Sequence, residues 1–198
     1  MIQLVLASRN RKKIAEFETI LKESLSKDIQ ILSLDDIGFH GEIEENGTTF
    51  EQNAFIKASV PASMGYIGIA DDSGLTVDHL DGRPGVYSAR YSGKGDAENN
   101  KKILREMEGV PEEKRTAHFV CAVSCVFPDK REPLSVLGIC DGLLLTEQKG
   151  DGGFGYDPLF FFPSLGKTFA ELTPEEKNAI SHRGIAVREF SKQLQGIL

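Results

Sequence analysis

Residues 67–74 read IGIADDSG: four small or apolar residues, Ile67-Gly68-Ile69-Ala70, lead straight into Asp71-Asp72-Ser73-Gly74. A short apolar run that ends in turn residues predicts a short buried strand. In open α/β sheets ligands collect outside the carboxyl ends of the strands. Two adjacent acids there, with a permissive glycine, suit metal coordination or general-base work. They equally suit an ordinary acidic turn closed by a salt bridge. Neighbours in an extended chain face opposite ways, so one of the two carboxylates is expected to point into a site.

The surrounding pattern extends this strand into a fold. Upstream, residues 2–7 (IQLVLA) form a second apolar run, and Ile14, Phe17, Leu21 and Leu25 then recur at spacings of three and four. That periodicity predicts an amphipathic helix from about Asn10. Residues 29–34 predict another strand. Thr48-Thr49-Phe50-Glu51 reads as a capping box, Thr48 at the cap and Glu51 three on, opening a helix through about residue 60. Pro61 is expected to end or kink that helix. Downstream, 82–93 is turn-rich and 97–108 suits a helix. Residues 116–127 and 134–145 suit two long strands joined by a hairpin at Pro128-Asp129. An apolar run at 159–162 and a final helix at about 181–194 complete the chain. Strands mixed with helices, without strict alternation in the second half, predict an α/β fold with a mixed sheet.

Composition bounds the function. A chain of 198 residues suits one domain, or one domain with two lobes, and no repeat or Pro/Ser-rich linker divides it. Its 30 acidic against 23 basic side chains give a net charge of −7, which argues against a nucleic-acid or anionic-membrane partner. A small anionic ligand needs only local positive charge. No apolar stretch approaches the roughly 20 residues that span a bilayer. The run at 2–7 is too short for a signal-peptide core, and its charges follow it. A cytoplasmic location is therefore expected. The three cysteines are too few for a disulfide framework, and Cys121 and Cys125 are expected to pack within a strand. His40, His79, His118 and His182 lack metal-motif spacing, so no structural zinc is expected.

Three further segments carry chemistry. Ser8-Arg9-Asn10-Arg11-Lys12-Lys13 joins the first strand to the first helix, with Asn10 as a good cap. Cations at a helix start oppose its dipole, and a bound phosphate would offset that cost; a solvated basic face is the other reading. Glu42, Glu44 and Glu45 precede a helix on which Asn53 and Lys57 share a face. Carboxylates near a lysine suit a magnesium–phosphate arrangement. Finally, 150–158 (GDGGFGYDP) matches GxGxxG through Gly150, Gly152 and Gly155. That fingerprint must open a helix, and Pro158 opposes helical geometry at Asp157, so a dinucleotide fold is rejected. A glycine loop presenting Phe154 and Tyr156 beside Asp157 better fits a pocket for an aromatic ring. Lys177 and Ser181-His182-Arg183 add donors.

Together the segments resemble the inosine triphosphate pyrophosphatase family, the non-canonical purine nucleoside triphosphate pyrophosphatases. Ser8, Asn10 and Lys13 match its S/T-x-N-x-x-K loop. Glu44, Gly47, Asn53 and Lys57 match its glutamate–glycine element and following helix. ADDSGL (70–75), PGVYSARYSG (84–93), GGFGYDP (152–158) and KNAISHR (177–183) complete the set in order. The resemblance implies one domain over residues 1–198, an elongated mixed sheet flanked by helices, two lobes with a substrate cleft between them, and a homodimer. It implies magnesium-dependent hydrolysis of ITP, dITP and XTP to the monophosphate plus pyrophosphate. Asp72 would be the general base and a metal ligand, Glu44 the second metal acid, and Glu45 its reserve. Lys13, Lys57 and the helix start near Asn10 would hold the triphosphate. Ser8, Arg9, Arg11 and Lys12 lie in the same loop, and Ser73 would contact substrate. Phe154 would face the purine, with Gly155, Tyr156, Asp157, Lys177, His182 and Arg183 about the base. Arg83 and Arg90 are expected in structural salt bridges. A septum-inhibitor-type pyrophosphatase of other base preference, or a non-catalytic nucleotide sensor, are the alternatives.

Overall fold

The buried run at residue 67 does not stop at the acids. In the computed structural model, which describes residues 2–24 and 29–197, it continues through Asp71 and Asp72 as a strand ending at Val77. Burial along the strand is nearly continuous, as expected for a central strand covered on both faces. The elements in order are β1 (Ile2–Leu6), α1 (Arg11–Ser24), β2 (Ile29–Ser33), α2 (Phe50–Ser63), β3 (Ile67–Val77) and α3 (Asp96–Glu106). They are followed by β4 (Thr116–Val126), β5 (Leu134–Leu144), β6 (Phe160–Phe162), β7 (Lys167–Thr168), α4 (Pro174–Ile180) and α5 (His182–Ile197).

The strands form one seven-stranded sheet in the order β2-β1-β3-β4-β5-β6-β7. β1 pairs with β2 and β3 in parallel, whereas β6 pairs with β5 and β7 antiparallel. The sheet is therefore mixed, as the sequence predicts. Parallel neighbours require crossovers, and α1 supplies the one between β1 and β2.

Local signals explain the helix boundaries. Asn10 Oδ1 accepts the backbone N–H groups of Lys12 and Lys13 at 3.1 and 3.2 Å, so it caps α1 as expected. Phe17, Ile20 and Leu21 bury one face of that helix, while Leu25 lies outside the described residues. The cap of α2 falls one residue later than the spacing predicts. Thr49 accepts from Gln52 N–H, and Gln52 Oε1 reaches back to the backbone N–H of Thr48. Glutamine thus does here what the sequence assigned to Glu51. Pro61 lies inside α2, within a turn of its end, and the helix runs on to Ser63. Two elements were not legible: the two-residue β7, and α4, whose capping box joins Thr173 to Glu176.

The chain divides into two compact units. Unit 1 holds the described residues up to Asp72, with 121–138 and those from Arg183 onward; unit 2 holds 73–120 and 139–182. Strands β3, β4 and β5 each contribute to both. Unit 1 has a core of Leu4, Leu6, Phe17, Ile69 and Phe190 with the free thiols of Cys121 and Cys125 buried among them. Unit 2 has its own core, built on Leu75, Ile103, Phe119, Phe160 and Phe169. Both cysteines of β4 therefore pack, as expected. Among the described residues no helix is long and apolar enough to cross a membrane.

Candidate functional site

In unit 1, β3 delivers Asp71 and Asp72 to opposite sides of an extended backbone. Asp71 meets two cationic groups through three nitrogens: Lys13 Nζ at 3.5 Å and the Nε and Nη2 of the Arg183 guanidinium at 3.4 and 3.2 Å. Arg183 is itself 1% exposed, and its Nη1 also pairs with Glu16, which lies one helical turn beyond Lys13 on α1. Burial alone would push the Asp71 carboxyl up. Lys13, Arg183 and Lys57 outweigh it and hold the group well below the usual carboxylate range. Asp71 is thus a locked anion.

Asp72 has a different environment. Its Oδ2 accepts from Asn53 Nδ2 at 3.1 Å, and its Oδ1 lies 3.4 Å from Lys57 Nζ. Asn53 and Lys57 are four residues apart on α2 and so share a face. Lys57 also donates to Glu45 Oε2 at 2.9 Å, and Asn53 Oδ1 accepts the N–H of Gly47 at 2.9 Å. Burial raises the Asp72 carboxyl above its ordinary value, and Lys57, Lys13 and Asn53 offset this only in part. Lys57 is buried too, yet Asp72, Asp71 and Glu45 overcome the cost and strengthen its hold on its proton. A carboxylate with a raised pKa beside a retained ammonium can accept a proton from a bound water while the cation neutralises an adjacent anion.

The acid brought to Asp72 through Lys57 is Glu45, not Glu44. Exposure alternates along residues 42–47, which form no helix or strand: Glu45 is half-buried and Glu44 is exposed. Two carboxylates with the oxygen atoms of a substrate are a set that magnesium accepts. Among the described residues no group of three or more His, Cys, Asp or Glu side chains is gathered as for a metal ion. Asp72 and Glu45, both bonded to Lys57 Nζ, and the exposed Glu44 beside them are oxygen donors of the kind that a hard cation shared with phosphate takes.

The loop after β1 gives mixed results. Ser8 Oγ accepts the N–H of Asn10 at 3.3 Å, and Lys13 turns in to Asp71. Arg9 is exposed and donates to the carbonyl of Phe39; Arg11 and Lys12 are exposed. Ser73, the residue after Asp72, is half-buried on β3 in unit 2.

In unit 2 the glycine loop forms a second group. Lys177 Nζ donates to Asp157 Oδ2 at 2.7 Å, and the same oxygen accepts the N–H of Phe154 at 2.8 Å. Lys177 Nζ stands 4.6 Å from the Phe154 ring centroid, within cation–π range. Phe154, Asp157 and Lys177 are therefore assembled as predicted. Tyr156 is not presented beside them: it is buried in the unit 2 core, with its hydroxyl donating to the Ser88 carbonyl at 2.9 Å. The turn at Gly155, whose φ is +61°, separates the two rings, which strand alternation would have put on one face. His182 is buried and stacks on Phe119 at 4.7 Å. Arg183 belongs to the Asp71 group of unit 1. Arg83 pairs with Glu106 at 3.6 Å, as expected, whereas Arg90 lies over the Tyr87 ring.

Sequence reasoning gave Glu16 no part, although helical spacing from Lys13 places it one turn along α1.

Similarity to known proteins runs over the whole chain. The profile of the Ham1 family matches residues 4–193. A Geobacter sulfurreducens protein named dITP/XTP pyrophosphatase is 50% identical over 203 residues, covering 100% of each chain. One of the same name from Clostridium perfringens is 45% identical over 207 residues, again covering 100% of each. The solved structure of a HAM1 protein from Coxiella burnetii superposes with a TM-score of 0.90 at 41% identity, covering 99% of this chain and 100% of that one.

Proposed function

The chain belongs to the Ham1 family, and on that premise we propose that it hydrolyses the triphosphates of deaminated purine nucleosides, ITP, dITP and XTP, to the monophosphate plus pyrophosphate. Water is added across the α–β phosphoanhydride, so the two products are formed in equal amounts. The observation that carries the proposal is the pairing of Asp72 with Asn53 and Lys57 at 3.1 and 3.4 Å. It sets a proton acceptor beside a cation that can take phosphate charge.

Each residue then has a task. Asp72 orients the attacking water and takes its proton, for which its raised pKa makes it a better acceptor than an ordinary aspartate. Lys57, Lys13 and the N-terminus of α1 at Ser8, Asn10 and Lys12 receive the phosphates. Arg183 serves by holding Asp71, and through it Lys13. In unit 2, Phe154 stacks on the purine while Asp157 and Lys177 address its edge. A protonated donor there favours a 6-keto oxygen over the 6-amino group of adenine, and a donor left unpaired by the wrong base costs about 1–3 kcal/mol.

Magnesium is part of this proposal, held by Asp72 and Glu45 together with substrate oxygens. When bound, such a cation neutralises phosphate charge and orients the anhydride. A cytoplasmic homodimer is proposed as the working form. Leu137 and Ile139 stay exposed at alternate positions of β5 and offer apolar surface to a second copy; light scattering in solution tests this. The relatives' names do not favour a septum-inhibitor-type enzyme or a sensor.

Incubation with magnesium and, separately, ITP, XTP, dATP and dGTP tests the activity. Pyrophosphate release from the first two, well above that from the others, is expected. Orthophosphate as the sole inorganic product, or equal turnover of all four, would refute it.

A further inference from the structure

The glycine loop is held from outside as well as from within. Asp96 and Asn100 are four residues apart on α3 and share a face. Asp96 Oδ2 accepts the N–H of Gly155 at 2.9 Å, and Asn100 Nδ2 donates to the carbonyl of the same residue at 3.0 Å. Both polar groups of one backbone residue, the one that follows Phe154, are thus gripped by one helix face.

The state of Asn100 shows what this grip costs. Its side chain is almost fully buried, and its Oδ1 has no hydrogen-bond partner. Reversing the amide would place oxygen against the Gly155 carbonyl, so the orientation is fixed by the loop. An acceptor buried without a donor is destabilising. The amide tolerates that loss while serving Gly155. The loop needs such restraint, since Gly150, Gly153 and Gly155 all have positive φ and would sample many conformations if free.

We propose that Asp96 and Asn100 are positioning residues for base recognition, clamping Gly155 so that the Phe154 ring is preset for a purine. The inference rests on the function proposed above and concerns the unit 2 loop alone. A preset ring spares the ordering cost at binding, so the clamp acts on substrate affinity and leaves the bond-breaking step unchanged.

Three variants test it: Asp96→Ala, Asp96→Asn, which keeps an acceptor, and Asn100→Asp, which keeps the shape but has no N–H to give. Asp96→Ala, which loses a charge-assisted hydrogen bond, is expected to raise KM for ITP about tenfold, and Asn100→Asp, which loses a neutral one, about fivefold, each with kcat within about twofold. Asp96→Asn is expected to keep the parent KM. A second readout needs no turnover. The chain has no tryptophan, so Phe154→Trp supplies a unique fluorophore in the loop. Its anisotropy is expected to fall when Asp96→Ala is added and to recover with Asp96→Asn. Parent-like KM in Asp96→Ala and Asn100→Asp, or an anisotropy indifferent to Asp96, overturns the clamp. Absence of ITP hydrolysis by the unmodified protein overturns the proposed function instead, while the anisotropy still decides the clamp.

Discussion

Asp71 and Asp72 are successive residues of β3, yet their carboxyl groups are driven in opposite directions. Burial and the flanking cations leave Asp71 far below the usual range and Asp72 above it. One is a fixed counter-ion and the other a usable base. Asp72→Asn is therefore expected to nearly abolish turnover while nucleotide binding stays measurable by calorimetry. Asp71→Asn leaves Arg183 and Lys13 short of a buried partner, at a cost of about 3 kcal/mol and a fall in Tm of roughly 10 °C. A variant pair in which Asp71→Asn melts like the parent protein would contradict this division of roles.

The same contrast sets a pH dependence. Asp72 has a raised folded pKa, so the ionised base is lost as pH falls through a value above the ordinary 3.8. In the metal-free protein that loss is expected above 3.8, and magnesium held by Asp72 would lower it. For stability the signs differ. Asp71, with its depressed value, contributes stability that is present above the ordinary carboxylate range and lost as pH falls toward its folded value. Asp72 contributes in the other sense: its term is present below 3.8 and is lost as pH rises through its raised value. A carboxyl titration of Asp72 at or below 3.8 in the metal-free protein, read by NMR, would contradict the raised value.

Much of this was legible in the sequence because it depends on short-range rules. The Asn10 cap, the shared face of Asn53 and Lys57, and the alternation of Asp71 with Asp72 follow from helix and strand periods. The mixed sheet followed from the order of elements. That Lys57 pairs with Glu45 and not with Glu44 depends on the phase of the loop before α2, which no local signal fixes. Tyr156 read as a presented ring because composition does not say which side of a glycine loop faces the core. Arg183 was placed by motif beside His182, yet it turns to Glu16, 167 positions away along the chain, a partner that no local pattern could reveal.

A histidine outside the site gives an independent check on unit 2. His118 Nδ1 lies 2.7 Å from Asp141 Oδ1, and its Nε2 lies 3.2 Å from Asp78. Burial would lower its pKa, but the hydrogen bonds to Asp141 and Asp78 outweigh it and raise the value above 6.5. A raised folded value contributes stability that is complete below the unfolded pKa and lost as pH rises through the folded one. The Tm advantage of the parent protein over His118→Gln is expected at about pH 6 and should shrink toward about pH 9. An advantage that grows with pH would show that the imidazole is held neutral.

Two glycines of the base-reading loop separate backbone strain from crowding. Gly153 and Gly155 have φ of +69° and +61°, so alanine at either is strained by similar amounts, about 1–2 kcal/mol. The space around them differs. A Cβ on Gly155 would have nothing within 4 Å, whereas one on Gly153 would stand 2.1 Å from Asp157 Oδ2. That oxygen holds both Lys177 Nζ and the N–H of Phe154. Gly153→Ala must therefore displace the carboxylate and break a buried ion pair, adding about 3 kcal/mol or more to the strain. Thermal melting is expected to show a modest loss for Gly155→Ala and a much larger one for Gly153→Ala. KM for ITP should rise in the same order. Equal losses for the two would mean that Asp157 can move without consequence, and that Lys177 does not depend on it for its place over the Phe154 ring.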